Sequence, residues 1–288
     1  MAPDLSAKTI PLYQKHGHLY THSTTLTSLS RLSSLPPETQ ALFKKAPEAE
    51  GEAYVVVTPE TIFHAQGGGQ PSDVGTITGA RASAEGEEQE GTFRVLQVRR
   101  VDAAILHMGV FSPSPTHTTL SPNAPLVQNL HVPSRLLHSR LHTAGHLLGL
   151  AINLLATSGI LPSDLKDGKA SHYPGAAFVE FSSPSGAVIA GDKKAVIQAK
   201  VDELIAEDLD VRIHFWSRQQ AERKCIGGVE GTAVGEGEEV RVVEIGEGGC
   251  YACGGTHVKR LGELGRVVVR GVKRQRGVSK VGYEVLDG

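Results

Sequence analysis

SRLLHSRLHTAGHLLGLAINLLA, residues 134–156, is the stretch on which the fold turns. Leu137, Leu141, Ala144, Leu148 and Ile152 recur at spacings of three and four, which predicts one long amphipathic helix. Ser134 is its expected N-cap. On that helix His142 and His146 stand four residues apart, so both imidazoles project from one face. The sequence before it has the period and punctuation of short strands and turns. After it, strands alternate with a second helix. The expected class is α+β.

Working toward the N-terminus, residues 12–20, 54–58, 74–78, 93–101 and 105–111 are predicted strands at hairpin spacing. Residues 23–34 are Ser/Thr-rich and indeterminate, and Pro36-Pro37 ends them. Residues 79–91 carry Glu85, Glu87, Glu88 and Glu90 and suit a solvated loop. SPSPTHTTLSPNAP, residues 112–125, is the expected linker. This half, residues 1–125, is expected to form a small β-barrel-like domain. Toward the C-terminus, 176–181, 211–216, 240–245, 265–272 and 282–285 are predicted strands. Residues 192–207 are a predicted helix burying Val196, Ala199, Leu204 and Ile205. Residues 126–288 are thus expected to form an antiparallel sheet packed with helices.

Of 288 residues, 29 are basic and 31 acidic, a balance that argues against a general nucleic-acid binder. No apolar run reaches 18 residues, so no membrane helix is expected, and MAPDLSAKTIPLYQKHGHLY lacks the apolar core of a secretory signal. Three cysteines are an odd number, and a disulfide framework is not expected; the anticipated compartment is the reducing cytoplasm. Charge is unevenly spread. Glu236, Glu238, Glu239, Glu244 and Glu247 form an acidic run, with Arg241 among them. Lys259, Arg260, Arg266, Arg270, Lys273, Arg274, Arg276 and Lys280 form a basic one. Two readings of the basic run stand: a solvated face, or a phosphate-contacting patch.

The chemistry concentrates in two motifs, His142-Thr-Ala-Gly-His146 and Cys253-Gly-Gly-Thr-His257. Three imidazoles and a thiolate suit zinc. Taken singly, the histidines fit separate core or surface roles and Cys253 a structural one. Cys250 and Cys253 also make a CxxC, which could bind metal with one histidine or change redox state. Thr143 stands where a zinc peptidase of the HExxH type needs its Glu base, which argues against peptidase chemistry. Four protein ligands close a tetrahedral shell, so hydrolysis requires one to give way or the shell to expand. Gly67, Gly68 and Gly69, ahead of Gln70, suit either a plain hairpin turn or a loop whose N–H groups line an anion or carbonyl site. The spacing is not that of a dinucleotide-binding GxGxxG.

TIFHAQGGGQPSDVGTI (61–77), RLHTAGHLLGLAI (140–152) and CGGTHVKRLGELGRVVV (253–269), in that order, resemble the editing domain of alanyl-tRNA synthetase and the free-standing AlaX-type proteins that carry it alone. The resemblance spans roughly residues 10 to 285. It implies an ATP-independent aminoacyl-tRNA deacylase acting in trans on mischarged tRNA(Ala), removing chiefly serine and in some cases glycine. Its zinc ligands fall on His142, His146, Cys253 and His257. The Gln of its glycine motif falls on Gln70, near the substrate, and Thr256 lies between ligands, where it can position substrate or water. Lys169-Ala-Ser-His-Tyr-Pro174 is similar to a sub-group of these proteins and places His172 at the pocket. Lys259, Arg260, Lys273, Arg274 and Arg276 become the candidate tRNA contacts. His64-Ala65-Gln66 departs from the family's pattern, as does Gly145, where Thr or a larger residue is common. Two other functions fit the residues: a tRNA-binding module with a structural zinc, and a zinc hydrolase for a small ester or amide.

Overall fold

Residues 54–57 and 104–111 are apolar at almost every position, the pattern of strands covered on both faces. In the computed structural model, which describes residues 7–44, 51–79, 92–112, 123–229 and 239–287, both stretches are buried strands. The chain divides into two units, Met1–Gly67 with Pro71–Arg135, and Gly68–Gln70 with Leu136–Gly288.

The first unit contains β1 (Ile10–Pro11), β2 (Thr21–Thr25), β3 (Ser28–Arg31), the short helix α1 (Pro37–Gln40), β4 (Tyr54–Val57), β5 (Glu60–Thr61), β6 (Gly75–Gly79), β7 (Thr92–Val101), β8 (Ala104–Ser112) and β9 (Pro125–Leu130). Seven of these strands form an antiparallel sheet in the order β2-β9-β6-β7-β8-β4-β3. Its two edges, β2 and β3, are separated by only Leu26 and Thr27. That link spans at most about 10 Å, so the sheet must curl until its edges approach, which makes it barrel-like. Tyr54, Val56, Phe93, Val95, Ile105 and Phe111 fill one face of the curl. On the other face Val55, Val57, Leu106 and Met108 are covered by Leu35 and Phe43. β9 follows the linker in sequence but pairs with β2 and β6, so residues 125–130 group with this unit.

One ion pair is fully enclosed here. Arg135 Nε lies 3.0 and 3.1 Å from the two Asp73 oxygens, and its terminal nitrogens donate to Asp73, to Gly17 O at 2.7 Å and to Ile62 O at 2.6 Å. Asp73 also accepts the His64 N–H at 2.6 Å. Every guanidinium nitrogen has an acceptor, the condition for a buried charge pair to be tolerated.

The second unit holds most of α2 (Val132–Thr157), then β10 (Lys166–Ser171), β11 (Phe178–Ser182), α3 (Lys194–Ala206), β12 (Val211–Trp216), α4 (Arg218–Lys224), β13 (Val240–Ile245), β14 (Gly249–Ala252), β15 (Arg266–Gln275) and β16 (Val278–Leu286). Two antiparallel sheets run β10-β11-β16-β15 and β12-β13-β14. Leu141, Ala144, Leu148, Ile152 and Leu155 of α2 share one core with Phe181, Val267, Val269, Val281 and Tyr283 of the larger sheet. Among the described residues no helix is long and apolar enough to cross a membrane.

The class is α+β, as the sequence implies, with local differences. Residues 12–20 are not a strand: Leu12–Gln14 form a 3₁₀ turn that drops Tyr13 into the curled sheet's core. The long helix begins at Val132 rather than after Ser134, with Pro133 in its first turn, where the missing N–H costs nothing. Ser134 Oγ instead meets His131 Nδ1 at 2.8 Å. α3 buries Ile197, Val201 and Leu204; Ala199 is exposed. Residues 80–91, 113–122 and 230–238, which include the Glu-rich loop, most of the expected linker, and Glu236 and Glu238, lie outside the described residues.

Asp73→Ala leaves the Arg135 guanidinium enclosed without its counter-charge. It should cost about 3–5 kcal/mol of stability, measurable as a lowered denaturant midpoint against the parent chain.

Candidate metal centre

α2 presents His142 and His146 one turn apart, and the segment after β14 carries Cys253 and His257 back to them. One donor atom from each of the four lies within 4.8 Å of all the others. Cys253 Sγ is 3.4 Å from both His142 Nε2 and His257 Nε2. Donors at tetrahedral zinc distances stand about 3.3–3.8 Å apart, so these contacts have the spacing of atoms converging on one ion.

The surroundings choose which atoms face inward. His142 Nδ1 lies 2.7 Å from Gln70 Oε1. An amide oxygen only accepts, so Nδ1 carries the proton and Nε2 keeps its lone pair. His257 Nδ1 lies 3.1 Å from Thr143 Oγ1, which also accepts the Val258 N–H at 3.3 Å. His146 differs: its Nε2 is buried without a hydrogen-bond partner among the described residues, and its ring stacks on Tyr251 at 4.4 Å. Burial, helped by His172 and Arg241, lowers its pKa to about 3, so it is neutral at neutral pH. A buried lone pair with no donor beside three converging ligands is what a cation would satisfy, and the donor set fits zinc.

Burial pushes the Cys253 thiol up, partly opposed by Arg241. The Arg241 side chain donates to Cys253 O, and the Cys253 N–H returns a bond to Arg241 O at 3.1 Å. Cys250 is not in the cluster: it belongs to a separate apolar group, with Sγ 3.6 Å from Glu244 Oε1, and burial followed by Glu244 raises its pKa to about 11. Cys225 packs against that same group.

Gln70 and Thr256 are buried against each other. Gln70 Oε1 accepts the Thr256 N–H at 3.0 Å, and Gln70 Nε2 donates to Thr256 Oγ1 at 2.9 Å. Ser139 Oγ lies 2.8 Å from the same Thr256 hydroxyl. Gly68 and Gly69 have φ of +55° and +77°, a region open to glycine at little cost; Gly67 groups with the first unit. A side chain at Gly255 would start 2.3 Å from the His142 ring, and one at Gly145 would start 2.4 Å from His172 Cε1. The gap left by Gly145 is therefore occupied by His172, which stacks on His142 at 4.2 Å. The His172 N–H donates to Gly69 O at 2.9 Å. Tyr283 O–H donates to Leu141 O at 2.9 Å, so its oxygen accepts from His172 Nδ1 at 2.6 Å, and His172 Nε2 holds the lone pair. Burial lowers the His172 pKa to about 4.

The basic run does not form one cluster. Lys259 and Arg260 precede the open end of the β15–β16 hairpin, beside β12, with Arg260 paired to Asp208 at 2.8 Å. Lys273, Arg274 and Arg276 are exposed at its closed end, about 30 Å of strand away at ~3.3 Å per residue. Arg276 and Gly277, with φ of 51° and 77°, make the two-residue turn.

The family described as "Threonyl and Alanyl tRNA synthetase second additional domain" matches residues 240–281, which include Cys253 and His257. The alanine–tRNA ligase of Salinispora tropica is 31% identical over 243 residues, 84% of this chain and 25% of that protein. That of Methanoculleus marisnigri is 30% identical over 259 residues, 87% of this chain and 26% of its own length. The chain is related to the editing-domain family of alanine–tRNA ligases. It spans about a quarter of the length of these curated relatives.

Within this family relation, sequence reasoning overlooked Thr143, noted only for not being Glu, and Tyr283 and Arg241. Thr143 had a legible signal, a hydroxyl one residue from a ligand; the other two had none.

Metal uptake should release the Cys253 proton. Because that thiol is raised and the His146 imidazole is lowered to about 3, zinc affinity should climb about tenfold per pH unit through the neutral range, read by competitive chelator titration. Gln70→Ala should weaken zinc binding about 10–100-fold, and His142→Ala should abolish it.

Proposed function

We propose that this protein is an aminoacyl-tRNA deacylase that hydrolyses the ester of mischarged tRNA(Ala), Ser-tRNA(Ala) foremost and Gly-tRNA(Ala) second, acting in trans in the cytoplasm. The observation that carries the reading is the convergence of His142, His146, Cys253 and His257 in a chain related to alanine–tRNA ligases. Three free cysteines suit the reducing compartment. The biological need is plain: a pocket for alanine gains only about 1–3 kcal/mol against residues differing by one small group, so a second, hydrolytic site improves fidelity.

Zinc bound here would supply Lewis acidity to the ester carbonyl and to an attacking water. The chain's own residues hold the geometry. Gln70 and Thr143 keep two imidazoles facing inward. Thr256, fixed by Gln70 and Ser139, sits in sequence between the candidate ligands Cys253 and His257, where it can position substrate or water. His172 Nε2 offers an acceptor for the substrate's ammonium or hydroxyl. Lys273, Arg274 and Arg276 contact tRNA phosphates, with Lys259 and Arg260 as a second contact.

A tRNA-binding module with a structural zinc is the second reading, favoured by a full set of four protein donors. His146 bears on this: among the described residues its Nε2 has no hydrogen-bond partner and its ring is held by stacking on Tyr251, so it is the donor we take to yield a coordination position. Purified protein incubated with seryl-, glycyl- and alanyl-tRNA(Ala) should deacylate the first two faster than the third, and a chelator should stop it. Persistent hydrolysis after complete metal removal, or none with metal bound, would sink the zinc-deacylase reading. His146→Ala should retain measurable zinc where His142→Ala retains none.

A further inference from the structure

The four-stranded sheet has a second face. On β16, Ser279, Val281 and Tyr283 are buried in the core, while Lys280, Gly282 and Glu284 alternate with them on the other side. There a groove of about 490 Å³ opens, bounded by Gly175–Phe178, Arg270, Lys273 and Lys280. Its floor is two glycines in register, Gly271 opposite Gly282, and Phe178 pairs beside them, also opposite Gly282. No atom lies within 4 Å of where a Gly271 side chain would begin.

The charges around it are arranged against self-interest. Lys273 and Lys280 stand directly opposite on adjacent strands, a like-charge pairing that destabilises a sheet. Neither makes an ion pair among the described residues. Lys280 Nζ sits 3.4 Å from the centroid of the Phe178 ring, which fixes a cation over an aromatic face. Arg270, paired with Glu284 at 2.8 Å, closes the far wall. Cations paired across two strands, one of them lying over an aromatic ring, on an open floor are complementary to a single-stranded polyanion, whose bases can stack on the ring's other face. A folded protein partner would not require the aromatic platform, and a compact phosphate would not fill the groove.

We propose that this groove binds the single-stranded 3′ end of the tRNA, with Phe178 as stacking platform and Lys273, Lys280 and Arg270 as phosphate contacts. The proposal rests on the deacylase reading for the identity of the strand. Six residues lead from Phe178 back to His172 beside the metal ligands, at most about 20 Å of chain. A strand whose terminal ester lies at the metal centre can therefore continue along Gly175–Ala177 into the groove. This adds Phe178, Arg270 and Lys280 to the tRNA contacts and separates the hairpin's contribution from that of Lys259 and Arg260.

Two measurements on the full chain test it. The first is anisotropy of a labelled, unstructured RNA 12-mer. Phe178→Ala should weaken binding about 5–150-fold and Phe178→Tyr should preserve it. The surface double variant Lys273→Gln/Lys280→Gln, with thermal melting unchanged, should lower the slope of log affinity against log salt by about 1.4. The second is hydrolysis: the parent chain should cleave seryl-adenosine, which carries no phosphate, and the lysine variant should raise KM for seryl-tRNA(Ala) at least tenfold. No RNA binding by the parent chain, or an unchanged affinity and salt slope in the lysine variant, overturns the groove. A parent chain that binds RNA through these residues but hydrolyses neither ester overturns the deacylase reading alone.

Discussion

The side-chain amide of Gln70 accepts two hydrogen bonds and donates one, and through them a glycine loop, a helix and a second metal motif are held together. Its oxygen takes the His142 Nδ1 proton and the Thr256 N–H; its nitrogen reaches the Thr256 hydroxyl. A buried amide is costly unless its polar atoms are paired, and here pairing is possible only if all three segments are in place. The same contacts settle the tautomer of His142, so that the geometry of the donor cluster and its chemistry are fixed by one group. Gln70 thus orients His142, a candidate metal ligand, through the ring nitrogen remote from the donor cluster.

Close packing around this amide explains the glycines better than turn propensity does. Gly255 lets the Cys253–His257 segment lie against the His142 ring, and Gly145 gives His172 its place over the same ring. A glycine inside a helix is worth about 1 kcal/mol less than alanine. At 145 that loss is offset by admitting an imidazole whose Nδ1 is tied through Tyr283 to the backbone of α2. Local helix stability and site architecture oppose each other at that residue.

Much of this was legible in the sequence, for identifiable reasons. The helix over 134–156 has a long apolar period, and histidines at i and i+4 on it can only share a face. Strands β4, β7 and β8 declare themselves by dense β-branched and aromatic content. The misses are equally physical. β10, KDGKAS, is an edge strand held by pairing with β11, so no apolar alternation marks it. α3 carries apolar residues on more than one side, and only contact with the larger core selects Ile197 and Val201 over Ala199. The basic residues from 259 to 280 are neighbours in sequence, yet a hairpin about 30 Å long separates them; linear charge patterning cannot distinguish a patch from two ends of a rod.

The four candidate ligands differ in what lies outside the cluster rather than within it. His142 and His257 are each held by a hydrogen bond on the remote nitrogen, and Cys253 is flanked by reciprocal bonds with Arg241. Among the described residues His146 has ring stacking on Tyr251 and its neighbours and no hydrogen bond on Nε2. Stacking restrains a plane but permits sliding and rotation within it, whereas a directed N–H bond restrains the donor atom itself. In the proposed deacylase, three restrained donors and one less restrained donor would let a site built from four protein groups admit substrate.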